Sequence, residues 1–249
     1  MGATRDEAVG DAIGVRERGS LLHDALAHAL RATQGKWGVW SRAELENEAL
    51  GAARTFLFER GSSALRRAGL NATLADVAAF LRWTFENADY SWLEAEKAFG
   101  RDLDWGALQL GHIFVSGRID RIDKSSDRRR LRVIDYKTGK RPTSAQIGEQ
   151  LLQPWLYALK VGRELGADHV ETGYLSLNRR DPDWKEVYAG ALDGEPLQKA
   201  ALRAVELVED FRGGRIEPRP RDPRSCQRCD ARDLCRRPLS APSGEEGTE

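Results

Sequence analysis

The 249-residue chain is 41% hydrophobic, ample for a real core, which excludes disorder as the default state. Its 39 basic and 39 acidic residues cancel, so net charge gives no hint of an anionic or cationic partner. No apolar run approaches the ~20 residues that span a bilayer, and MGATRDEAVG lacks the apolar centre of a signal peptide, so a soluble, cytoplasmic protein is expected.

In chain order, residues 1–18 read as a loose leader. SLLHDALAHALRA, about 20–32, predicts a helix with His23, Leu26 and Leu30 on one face. Helical spacing of Leu45, Ala49, Ala53, Phe56 and Leu57 predicts a second helix over 44–67, interrupted by Gly61. A third, over 73–87, opens on a T-x-x-D capping signal at Thr73. WLEAEKAF, HIFVSGRIDRI and LRVIDYK then read as three strands, the last two an antiparallel hairpin turning at KSSDRRR. A helix over about 144–165, strands at HVETGYLSL and KEVYAGAL, and a helix over 195–211 complete the pattern. The expected fold is α/β, a mixed central sheet flanked by helices. Residues 213–238 form a Pro/Arg-rich segment with all three cysteines, and 239–249 an acidic tail expected to be disordered.

Within LRVIDYK, alternation points Asp135 and Lys137 to the same face. Buried charge is costly unless paired or bound to a metal, so the pair reads as a structural ion pair or as part of an active site. GRID brings Asp120 up the neighbouring strand, where two carboxylates and an ammonium can converge on one face and suit a hard divalent cation. Gln153 and Tyr157 share one helix face at i and i+4.

GSLLH, GRID, IDYK and QPWLY, in that order, resemble the RecB-like branch of the PD-(D/E)XK nuclease superfamily. The chain is most similar to the C-terminal nuclease domain of AddB-type proteins of helicase-nuclease DNA repair complexes, over residues 14 to 237. The resemblance implies a restriction-endonuclease-like core over 19–212 with a helical insertion at about 37–90. It implies a Mg²⁺- or Mn²⁺-dependent exonuclease acting on DNA in recombination and repair, partnered by a helicase domain or subunit. His23, Asp120, Asp135 and the backbone carbonyl of Tyr136 would be metal ligands, and Asp120, Asp135 and Lys137 the catalytic set. Gln153 and Tyr157 would hold the active site and the DNA strand in register. The family's acid falls three residues after the glycine, which selects Asp120 over Asp123, and strand parity puts Asp123 on the opposite face. Glu96, on the preceding strand, is read as structural, with an outer-shell role at the site as the alternative.

Cys226, Cys229 and Cys235 have the compact spacing of metal ligands. The resemblance implies a [4Fe–4S] cluster completed by a cysteine upstream of the first helix, yet no cysteine precedes His23. A fourth ligand outside a fragment, a zinc site completed by His or Asp, and a lost cluster with free thiols all stay open. RRRLR (128–132) and GRIEPRPRDPR (214–224) are the candidate phosphate contacts, and the absence of GxxxxGK[ST] places any ATP-driven unwinding elsewhere. Two other nuclease-related readings remain: a stand-alone exonuclease of the CRISPR-adaptation type, and a catalytically inactive DNA-binding or scaffold module. A metal-stabilised interaction domain in which only the cysteines matter is a further class.

Overall fold

The computed structural model describes residues 13–61, 63–87, 89–127, 129–137, 142, 151–176, 181–215, 226, 229 and 235. Three helices come first: α1 (Val15–Ala32), α2 (Arg42–Phe58) and α3 (Ala64–Glu86). Helix α1 starts five residues before the expected Ser20, inside the segment read as leader. The start of α2 is set by a capping box, Ser41 accepting from the Glu44 N–H while the Glu44 carboxylate accepts from the Ser41 N–H. Chain direction changes around Gly61, and Ser63 caps α3 by accepting from the Arg66 N–H. The T-x-x-D signal at Thr73 is therefore no helix start. Thr73 is buried inside α3, and its hydroxyl donates to the Gly69 carbonyl one turn back.

Strands β1 (Tyr90–Phe99), β4 (Gly117–Ser125), β5 (Arg130–Lys137), β6 (His169–Ser176) and β7 (Asp183–Ala191) form a mixed sheet in the order β1-β4-β5-β6-β7. All neighbours are antiparallel except β5 and β6, whose parallel pairing needs the crossover through α4 (Gln153–Leu165). The expected HIFVSGRIDRI strand is two: β3 (Ile113–Val115) turns back on β2 (Leu108–Leu110) as a separate hairpin, and the break at Ser116 precedes β4. Of the helix expected over 144–165, residues 144–150 lie outside the described residues. Helix α4 begins at Gln153, with Pro154 in its first turn, and stops at Gly166, which takes the left-handed backbone (φ 63°) that glycine tolerates. The final helix, α5 (Glu195–Arg212), lies where it was expected.

Strand β5 is covered on both faces. Ile134 and Tyr136 join Trp92, Ala95 and the apolar stripes of α1, α2 and α3 in one core, while the alternate positions turn toward the side on which α4 packs. Cα packing distinguishes residues 1–205 from 206–249. In the second unit Arg215 pairs with Asp210, and the three cysteines form no disulfide. Among the described residues, no helix is long and apolar enough to cross a membrane.

Candidate active site

The antiparallel register of β4 and β5 runs through Arg121 opposite Ile134, so one step further sets Asp120 across from Asp135. The Tyr136 N–H donates to Asp120 Oδ2 at 2.8 Å, fixing that carboxylate against the end of β5. On the other side of β4, β1 carries an extra residue between Trp92 and Glu94. Trp92 pairs with Asp123, but beyond the bulge Glu94 pairs with Ile122 and Ala95 with Arg121. An unbulged register would put Ala95 across from Asp120; the bulge puts Glu96 there instead. Glu96 also adopts a left-handed backbone (φ 51°), a strained conformation for a residue with a side chain. Glu96, Asp120 and Asp135 thus form a row across three strands at one end of the sheet.

Helix α1 delivers His23 to this row. Its Nδ1 lies 3.5 Å from Glu96 Oε1 and 3.6 Å from Asp120 Oδ1, and its ring meets Tyr136 edge-on at 5.3 Å. Ligand atoms of His23, Glu96 and Asp120 all fall within 4.8 Å of one another. Glu96 Oε1 is buried without a hydrogen bond, which leaves its lone pairs as donors for a cation. One imidazole and two carboxylates converging so closely are a fitting donor set for a divalent metal. Burial alone would lower the His23 pKa, but the adjoining carboxylates of Asp120 and Glu96 raise it to about 10. A proton on His23 thereby neutralises part of the acidic cluster.

Asp135 is buried, and desolvation together with repulsion from Asp120 raises its pKa to about 6 despite Lys137 and His23. Lys137 Nζ sits 2.5 Å from Asp135 Oδ2 and 5.2 Å from the centre of the Tyr174 ring. The expected juxtaposition of Asp120, Asp135 and Lys137 is present. From α4, Gln153 lies one turn before Tyr157, whose hydroxyl accepts the Arg118 N–H at 3.3 Å. Burial raises the Tyr157 pKa, and the charges of Asp120 and Asp135 push it the same way. The glycine of GRID has a packing reason: a Cβ on Gly117 would stand 2.6 Å from Tyr157 Oη.

Two expectations change. Glu96, read as structural, lies in the cluster with His23 and Asp120, and the bulge and backbone that bring it there leave no mark in a single sequence. Arg132, in the RRRLR stretch, is no free phosphate contact. Its Nε donates to Glu171 at 2.9 Å, and its guanidinium lies 3.7 Å from the centre of the Tyr90 ring. Asp123 points away from the site, in a buried pair with Arg121 at 2.5 Å. Arg128 and residues 216–224 lie outside the described residues. Among the described residues the cysteines are not part of a cluster of three converging ligands.

Two solved structures resemble the chain. One, SSO0001, is 17% identical, with 86% of this chain and 84% of that chain covered and a TM-score of 0.34. The other, described as "Putative exonuclease" from Eubacterium rectale, is 13% identical, with 97% and 96% covered and a TM-score of 0.38. No curated protein matches. The family model for the PD-(D/E)XK nuclease superfamily matches residues 2–236, nearly the whole chain. With that match and a five-stranded mixed sheet flanked by helices, the chain belongs to the PD-(D/E)XK nuclease superfamily.

Proposed function

We propose that this protein is a divalent-metal-dependent deoxyribonuclease of exonuclease type. The observation that carries the reading is the row of Glu96, Asp120 and Asp135, with His23 on one side and Lys137 on the other, at one end of the sheet. His23, Glu96 and Asp120 would hold a Mg²⁺ or Mn²⁺ ion, with Asp135 and the Tyr136 carbonyl as further ligands. Such an ion supplies Lewis acidity toward a phosphodiester and lowers the pKa of bound water. Lys137 holds a cationic donor beside the acids, where negative charge develops on the phosphate. The Tyr136 N–H orients Asp120, while Gln153 and Tyr157 support the site from α4 and keep the strand in register.

The order GSLLH, GRID, IDYK, QPWLY extends the proposal to DNA recombination and repair beside a helicase, since the chain has no phosphate-binding loop of its own. End-labelled single- and double-stranded DNA, incubated with and without Mg²⁺ or Mn²⁺, tests the reading. Cleavage is expected only with metal, and Asp135→Ala, Lys137→Ala and Glu96→Ala should each lose at least about a hundredfold in rate. Cleavage surviving both Asp135→Ala and Lys137→Ala would sink it.

We further propose that Cys226, Cys229 and Cys235 serve a structural iron–sulfur cluster completed by a fourth ligand. The spacing C-x2-C-x5-C supports this, and anaerobically purified protein should then absorb in the visible. A colourless protein that retains zinc would assign the cysteines to a zinc site instead.

A further inference from the structure

The β2–β3 hairpin grows from the end of the sheet that carries the acidic row. β1 ends at Phe99, paired with Gly117 at the start of β4, and the chain between them makes the hairpin. Alternation along it is regular. Leu108, Leu110 and Ile113 turn inward and are buried, while Gln109 and its cross-strand partner Phe114 turn outward. Phe114 remains 48% exposed, and the Arg101 guanidinium lies 4.6 Å from the centre of its ring. The Gly100 N–H donates to the Trp105 carbonyl, closing the turn that contains Arg101, and Asp102 within it takes a left-handed backbone (φ 63°). Among the described residues no carboxylate lies within ion-pair distance of the Arg101 guanidinium, although Asp102 and Asp104 share its turn. Arg118, with 66% of its side chain exposed, follows Gly117 at the base of the hairpin, its Nη1 3.7 Å from Glu96 Oε2. The Arg163 guanidinium donates to the Gln109 carbonyl at 3.3 Å and ties the hairpin to α4.

A half-exposed aromatic ring under an unpaired guanidinium, on a braced hairpin at the rim of an acidic site, has the chemistry of a single-strand platform. We propose that one base of a single DNA strand stacks on Phe114 while Arg101 meets an adjacent phosphate, so that the hairpin feeds the strand toward Asp120 and Lys137. The proposal rests on the nuclease reading above, but its test reads binding without cleavage.

Fluorescence anisotropy of a labelled oligothymidylate, in EDTA, compares wild type with Phe114→Ala, Phe114→Trp, Arg101→Ala and, as a distant control, Leu65→Ala on exposed α3. Phe114→Ala should weaken binding roughly 5- to 150-fold, the stacking energy of one base. Phe114→Trp should retain it, and Leu65→Ala should change nothing. Arg101→Ala should reduce the slope of log affinity against log salt by about 0.7, the loss of one phosphate contact. Thermal melting of each variant reports folding separately. Unchanged binding by folded Phe114→Ala, or no binding by the wild type, overturns the platform. Cleavage by the wild type in Mg²⁺, read in parallel, tests the nuclease reading independently: a protein that cuts but binds equally well without Phe114 loses only the platform.

Discussion

At the scale of single residues, charge accounts for most of the site. His23 is held as a cation by two carboxylates, with its pKa raised from the ordinary 6.5 to about 10. Because the folded value lies above the ordinary one, these ion pairs contribute stability that is fully present below pH 6.5 and is lost as pH rises through about 10. A metal held by the same side chains must displace that proton. Metal affinity is therefore expected to strengthen by up to about tenfold per pH unit below pH 10. Calorimetry at pH 8 in buffers of different ionisation enthalpy should find about one proton released per ion. His23→Asn should flatten that dependence, and release of no proton would show that the metal does not use His23. Asp135, at about 6, adds a lower limb: its carboxylate charges as pH rises through that value, and cleavage should rise with it.

At the scale of elements, small residues decide where chemistry-bearing side chains land. Gly117 lets the Tyr157 phenol approach β4, and an alanine there would also meet the Phe99 ring at 3.0 Å. Gly117→Ala should cost about 1–3 kcal/mol by thermal melting and impair cleavage by displacing Tyr157. Tyr157→Phe in the same chain should recover part of the stability, because the hydroxyl that clashes is gone. Additive losses in that double variant would show that the glycine serves another purpose. The Ser41–Glu44 capping box acts locally, and Ser41→Ala should cost about 1 kcal/mol with metal-dependent cleavage unchanged.

At the scale of the whole molecule, the site leans on a buried ionic network between sheet and helices. Arg121 and Asp123 are each 1% exposed, and Arg121 also donates to the Thr84 hydroxyl of α3 at 2.7 Å and lies over the Phe80 ring. Phe80 in turn meets the Tyr136 ring edge-on at 4.9 Å, and Tyr136 meets His23. Burial draws the Asp123 pKa upward and the nearby guanidinium opposes it. Removing one partner leaves a buried charge alone, so Asp123→Asn is expected to cost about 3–5 kcal/mol in chemical denaturation. Replacing both, with Arg121→Met and Asp123→Leu, should cost less than the single change. A double variant as unstable as the single one would mean that Arg121 is needed for its contacts with Thr84 and Phe80 rather than for its charge.

Periodicity and residue type were enough to find the helical N-terminal part, though not the break between α2 and α3, and to read the β4–β5 hairpin and the convergence of Asp120, Asp135 and Lys137, because alternation along paired strands dictates which side chains share a face. Parity also separated Asp120 from Asp123, since neither residue lies beside a bulge in β4. The helix boundary at Thr73 was misread because a capping motif is local, whereas α3 continues wherever its apolar stripe is buried. Glu96 depended on tertiary structure: one extra residue in β1 shifts the register, and a left-handed backbone turns the carboxylate toward His23, both sustained only by the packing around them. The same holds for Arg132, whose charge reads as a phosphate contact in a string of letters and is instead neutralised by Glu171 from the neighbouring strand β6. Sequence by itself determined that Asp120, Asp135 and Lys137 share one face; the fold decided which further charges join them, because pairing across strands and between layers depends on register and burial that no local pattern encodes.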